Sequence, residues 1–361
     1  MNKINNPRNI VFGDYFLALT LNKKSKTLDK DYKQILFLNL RLLQSFNYIC
    51  DTYIFMAINL NIKNETGKLK SVVLGQPKSN GPIPTLAESY DAKSYNTIEN
   101  NIYPKEEDIV FEMSEFEKVL KKYDVEVFRP KIIKDYNQVF ARDVAFVIED
   151  KMIISNIIPD RADEQEAYRH IIDKVSWRNV INLPEKAHIE GGDVIVWDEF
   201  LFIGTSYSPD YRNLKTARTN EYAIEILKEY FPKKRIIDLD LKKSDTKPYE
   251  GILHLDCTFN PIGEDKCVIY KNGFVDEDDY QLVLDIFGEE NCFNVNDEEM
   301  FQMFPNVFSI APDVVVSDKA FTRMNDHFRN EWGITVEEIP YREISKMGGL
   351  LRCSTLPLVR E

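Results

Sequence analysis

From Lys68 onward one pattern recurs along the chain: a strand, usually a second strand, a helix, and a closing strand. The first unit reads "KLKSVVLG", a long loop, the helical "EEDIVFEMSEFEKVLKKY" and "VEVFRP". The second reads "VAFVIEDKMIIS", "DEQEAYRHIIDKV" and "NVINLP"; the third "DVIVWDEFLFIGT", "TNEYAIEILKEYF" and "RIIDLDL". The fourth runs "CTFNPIGEDKCVIY", "DEDDYQLVLDIFG" and "CFNV", and the fifth "VFSIAPDVVVS", "KAFTRMNDHFRNEWG" and "TVEEIP". Tight-turn sequences such as "IEDK" and "WDEF" separate the paired strands. Apolar residues recur at helical spacing, as at Phe116, Val119 and Leu120. Acidic residues open helices at Asp163, Glu164, Asp276 and Glu277, where the helix dipole favours them. Each unit alone leaves an apolar face uncovered, so the units must cover one another. The pattern predicts an α/β fold, a five-unit pseudo-symmetric α/β propeller. An ordinary α/β sandwich is the alternative that periodicity alone leaves open.

A closed ring of units brings the segments between them to one centre. "NQVFARDVAFVI" puts Asp143 ahead of the second unit, and "HIEGGDVIVW" puts Glu190 and Asp193 around two glycines ahead of the third. A Gly-Gly pair permits a tight turn and close backbone approach. "GILHLDCTFN" carries His254 and Asp256, two residues apart, which a strand would aim to one side. "GGLLRCSTLPL" sets Cys353 between a glycine turn and an uncharged strand. Singly, each motif also reads as structure: a strand cap, an acidic turn, a satisfied histidine, a buried thiol. Together they suit a thiolate nucleophile and carboxylates that grip a planar cation in bidentate fashion.

Composition narrows the alternatives. The 361 residues carry a formal charge of -13, and Lys and Arg are scattered among acids. No basic stripe is present to neutralise phosphates, so a nucleic-acid partner is not expected. The five cysteines form no CxxC pair, and neither HExxH, GxGxxG nor a P-loop occurs, so neither a metal nor a cofactor is expected. A reducing cytoplasm is the expected setting. The apolar run "ILFLNLRLLQSFNYICDTYIFMAINL" is broken by Arg41, Gln44, Asn47 and Asp51 and fits a membrane span poorly. No membrane partner is expected, and a homo-oligomer is left open. The text changes to clean alternation at "AINLNIKN", which predicts an N-terminal extension over 1–55 and one catalytic domain over 56–361.

The ordered set "FARD", "EGGD", "HLD" and "GG..RC" resembles the guanidino-group-modifying superfamily of arginine deiminases, dimethylarginine hydrolases and arginine:glycine amidinotransferases. The resemblance covers about residues 57–361 and implies the pentein-like five-unit propeller, with a small guanidino compound as substrate. Carried over by motif, it implies Cys353 as nucleophile and His254 as general acid and base, with Glu190 either orienting that histidine or helping to hold the guanidinium. Asp143 and Asp256 would hold the guanidinium, with Asp193 and Arg352 beside them. Arg161 and Arg218 resemble positions that contact a substrate carboxylate. Water as second nucleophile would make the enzyme a hydrolase of linear amidines, and an amine would make it an amidinotransferase. A catalytically inactive, arginine-binding relative is the third reading.

Overall fold

The unit that lacks a second strand in the sequence obtains it from the far end of the chain. In the structure, a computed structural model that describes residues 57–361, β1 (Leu69–Leu74) pairs in parallel with β2 (Glu126–Phe128) and antiparallel with the C-terminal strand β15 (Thr355–Arg360). The ring is thus closed by strand pairing, which removes the free edge an open first unit would expose.

The other four sheets repeat the design without a break in the chain. They are β3 (Ala145–Ile148), β4 (Lys151–Ile154) and β5 (Val180–Asn182), then β6 (Val194–Trp197), β7 (Phe200–Thr205) and β8 (Arg235–Asp240). Next come β9 (Phe259–Ile262), β10 (Lys266–Ile269) and β11 (Cys292–Asn294), and finally β12 (Phe308–Ala311), β13 (Val314–Asp318) and β14 (Thr335–Ile339). In each the middle strand is antiparallel to the first and parallel to the third. The hairpin turns place Glu149 and Asp198 in the left-handed region, at φ of 54° and 47°. The five units of the sequence reading are therefore the five sheets of a pentein propeller.

Helices cover the sheets where the periodicity predicts them. Glu106–Lys122 buries Ile109, Met113, Phe116 and Leu120, and Phe116 meets Phe308 and Tyr341 edge to face. The second unit departs from expectation, since "DEQEAYRHIIDKV" forms two short helices, Glu164–Ala167 and Arg169–Ile172, rather than one. The break has a purpose in the site, because Glu164 turns inward to Arg161. Residues 58–64 add no full strand. They make single bridges to Val175, Val359, Glu149 and Trp197, and so thread between units toward Glu65. The expected extension over 1–55 lies outside the described residues. Among the described residues, no helix is long and apolar enough to cross a membrane.

Ahead of the first strand of each unit the chain makes one tight turn. These turns are Ala141–Asp143, Gly191–Asp193, Leu255–Cys257, Phe304–Asn306 and residues 351–354. Each packs on the next, and the ring is fastened by the Arg142 N–H donating to the Cys353 carbonyl at 3.0 Å and the Arg352 N–H to the Asn306 carbonyl at 3.1 Å.

Candidate active site

The turns bring the predicted residues to one buried centre, though not always by the local structure the sequence suggests. His254 and Asp256 do not lie on a strand. His254 is extended and caps the turn Leu255–Cys257, and the strand begins only at Phe259. The turn separates their tasks: His254 Nε2 lies 2.9 Å from Glu190 Oε2, while Asp256 Oδ2 accepts from Arg352 Nη1 at 2.7 Å.

Two glycines make room, one for the histidine and one for the Arg142 backbone. A Cβ on Gly192 would lie 2.6 Å from His254 Nδ1, and one on Gly191 would lie 2.2 Å from the Arg142 carbonyl oxygen. No side chain fits in either place, so "EGGD" is a close backbone approach and not an ordinary acidic turn.

Three arginines hold five carboxylates. Arg161 donates to Asp143 Oδ2 at 2.6 Å, to both Glu164 oxygens at 2.6 and 3.0 Å, and to the Phe140 carbonyl at 3.0 Å. Arg218 donates to Glu190 Oε2 and the Tyr90 carbonyl, each at 2.8 Å, and to the Lys215 carbonyl. Arg352 holds Asp256, Glu65 Oε1 at 3.0 Å and the Val194 carbonyl at 2.8 Å. All three arginines are buried. Asp193 is filled by the Thr219 hydroxyl at 2.6 Å and the Leu255 N–H at 3.0 Å, and so ties the second turn to the third.

What these bonds leave open is informative. Asp143 Oδ1 and His254 Nδ1 face each other at 3.6 Å, and both are buried without a hydrogen-bond partner. Asp256 Oδ1 meets only sulfur, Cys257 at 3.6 Å and Cys353 at 3.7 Å. Cys353 Sγ lies 3.6 Å from Asp256 Oδ2 and 3.1 Å from Asn306 Nδ2.

Charge follows this geometry. Burial alone would discharge His254, but Asp143, Asp193 and Glu190 outweigh it and raise the imidazole to about 9. Burial also works against the charge on Glu190, yet Arg218 and His254 hold its carboxyl well below the usual range. Burial, the Cys257 thiol and the negative charges of Asp256 and Asp143 push the Cys353 thiol well above its ordinary value.

Asp143, Glu190 and His254 offer atoms within 4.8 Å of one another, as a metal site would. The donor chemistry fits poorly, because Arg161 and Arg218 each already take one oxygen of the two carboxylates and a protonated imidazole has no lone pair to give.

Two buried residues at this centre escaped the motif reading. Glu65 pairs with Arg352 and lies 3.7 Å from Arg142. Burial disfavours its charge, but Arg352, Arg142 and Arg360 outweigh that and hold its carboxyl below the usual range. Asn306 stands on the fourth turn, Phe304–Asn306, at the one junction to which no motif was assigned. The repeat itself was the available signal, since "FPN" precedes β12 as "ARD" precedes β3.

Five such units around a buried cluster of Asp143, Glu190 and His254 place the chain in the guanidino-group-modifying superfamily, as an enzyme of that general class. More narrowly, the chain belongs to the family described as N,N dimethylarginine dimethylhydrolase, eukaryotic, whose model matches residues 85–360. An uncharacterized protein, YkgA of Bacillus subtilis (strain 168), is 28% identical over 302 residues, covering 82% of this chain and 94% of its own. Among solved structures, SxtG, an amidinotransferase from Microseira wollei in the saxitoxin biosynthetic pathway, superposes with a TM-score of 0.65 at 18% identity, covering 84% of this chain and 98% of that one. The N-terminal domain of ArgZ, a cyanobacterial arginine dihydrolase, gives a TM-score of 0.66 at 17% identity over 81% of this chain and 98% of that one. At such identities these two structures establish a shared fold.

Proposed function

We propose that the protein hydrolyses the guanidino group of arginine or an arginine derivative, breaking a C–N bond through an amidino-cysteine on Cys353. The observation that carries this reading is the pair of half-occupied carboxylates. Asp143 and Asp256 each give one oxygen to an arginine and keep the other without an N–H or O–H donor. Two buried acceptors beside a thiol are what a planar, multiply donating cation needs.

A bound guanidinium also changes the ionisation of the thiol. The charges that keep Cys353 protonated are the ones the cation would neutralise, so substrate binding favours the thiolate, with the proton lost to solvent. Thiolate attack on the guanidinium carbon forms a C–S bond as the C=N electron pair moves onto nitrogen. Nε2 of His254 is held by Glu190, which leaves Nδ1–H as the acid. It protonates the departing amine as the C–N bond breaks, leaving an S-amidino cysteine. Water then attacks, Nδ1 takes its proton, and the C–S bond breaks to return the thiolate and release a urea product. Arg161, Arg218 and Arg352 act here by fixing Asp143, Glu190 and Asp256.

The test is product identity. The protein is incubated with arginine, methylated arginines and other guanidino compounds, with and without amine acceptors, and products are assigned by mass spectrometry. The family description puts methylated arginines first. A urea product with release of an amine supports hydrolysis. Transfer of the amidino group to an added amine overturns it in favour of a transferase, and binding without turnover overturns it in favour of an inactive relative.

A further inference from the structure

Four of the five turns supply the charged or nucleophilic groups described above, and the remaining one, Phe304–Asn306, supplies a neutral one. Asn306, fully buried, uses every hydrogen-bonding position of its amide. Oδ1 accepts from the backbone N–H of Leu350 and of Cys353, both at 3.1 Å. Nδ2 donates to the Asp256 carbonyl at 3.1 Å and to Cys353 Sγ at 3.1 Å. The orientation of the amide is not ambiguous. Two backbone N–H groups fix the position of the oxygen, because a flipped amide would set donor against donor twice. A nitrogen donor must therefore face the sulfur. Among the described residues, no other N–H lies within hydrogen-bonding distance of Sγ.

The surroundings give that donor a task. The nearest charge to the sulfur is the Asp256 carboxylate, which disfavours a thiolate, and the arginines of the centre are held by other acceptors. A donor that bonds the charged form more strongly than the neutral one shifts the balance toward the charged form. We infer that Asn306 is the hydrogen-bond donor that stabilises the Cys353 thiolate, and that it holds the nucleophile's turn in the same act. The inference rests on Cys353 being the nucleophile.

The two roles separate in one substitution. Asn306→Asp keeps the shape of the side chain and an oxygen for Leu350 and Cys353, but replaces the N–H that faces sulfur. Asn306→Ala removes both roles. The readout is the pH dependence of iodoacetamide alkylation, followed on the peptide Cys353–Arg360 that trypsin releases by cleaving after Arg352. Both variants are expected to move the titration up by about one pH unit, a roughly tenfold loss of thiolate below it, with kcat falling in step. A folded Asn306→Asp protein with an unchanged titration and unchanged kcat overturns the inference.

If neither variant folds, the wild-type chain labelled with 15N-asparagine decides. The Asn306 amide resonance is expected to move as Cys353 ionises and to stay still in Cys353→Ser. An amide that does not follow the thiol overturns the inference. Failure of the hydrolase reading looks different: no turnover by a protein whose thiol still titrates with Asn306.

Discussion

His254 Nε2 lies 2.9 Å from Glu190 Oε2, and neither side chain reaches solvent. The carboxylate therefore fixes which imidazole nitrogen is free and helps keep the ring charged. Glu190→Gln retains a hydrogen-bond acceptor but removes the charge, and it leaves the Arg218 guanidinium uncompensated nearby. Both changes lower the His254 pKa from about 9. The alkaline limb of the pH–rate profile, where the general acid is lost, should move toward acid by about one unit or more. Its measurement on the wild type and the variant checks this, and superimposable profiles would contradict it.

The same raised pKa has a consequence for stability. The folded protein holds the His254 proton up to about 9, whereas an unfolded histidine holds it only to about 6.5. The contribution is complete below the lower value and lost as pH rises through the upper one, at a slope approaching about 1.4 kcal/mol per pH unit. Lys93, brought down to about 7 by burial, tilts the whole curve the opposite way between that value and 10.5. The quantity to measure is thus a difference in urea stability, wild type minus His254→Gln. It should shrink between pH 6.5 and 9, and a constant difference would refute the assignment.

Much of this centre was legible because its parts carry local signals. Strand pairs with turn residues and helices with a 3.6-residue period mark the units, while "EGGD" and "GG..RC" advertise close backbone approach. The uncharged strand after Cys353 was legible, but its partner was not. "TLPLVR" pairs with β1 from the opposite end of the described chain, and no local pattern encodes such a partner. Asn306 and Glu65 were silent for a different reason. An amide after a proline and an acid in "NIKNETGK" look like solvated loop until the ring closes over them. A strand was expected to aim His254 and Asp256 to one side, and a single turn instead sends one to Glu190 and the other to Arg352.

Glu65 supplies the counter-charge at the crowded centre, bonding Arg352 and lying within ion-pair range of Arg142. Removing one member of a buried ionic group leaves the others uncompensated. Glu65→Gln should cost about 3–5 kcal/mol in urea denaturation, and should lower activity because Arg352 also holds Asp256. A loss below about 1 kcal/mol would show that the arginines are neutralised elsewhere.

The five sheets are complete within the described residues, and the chain is tied to them from Ile58 onward. A protein beginning at Met56 should therefore fold and turn over substrate as the full chain does. Circular dichroism, thermal melting and product assays test this together, and an insoluble or inactive truncation would assign residues 1–55 to the catalytic body.

The central claim is that Cys353 attacks a guanidinium held by Asp143 and Asp256. Its most direct test is acid quenching of the enzyme during turnover of a guanidino substrate, followed by mass analysis of the tryptic peptide Cys353–Arg360. An amidino group on that peptide is the predicted result, absent in Cys353→Ser, which should lose at least about a thousandfold in rate while remaining folded. Wild-type turnover by Cys353→Ser, or an amidino group on any other residue, would contradict the account.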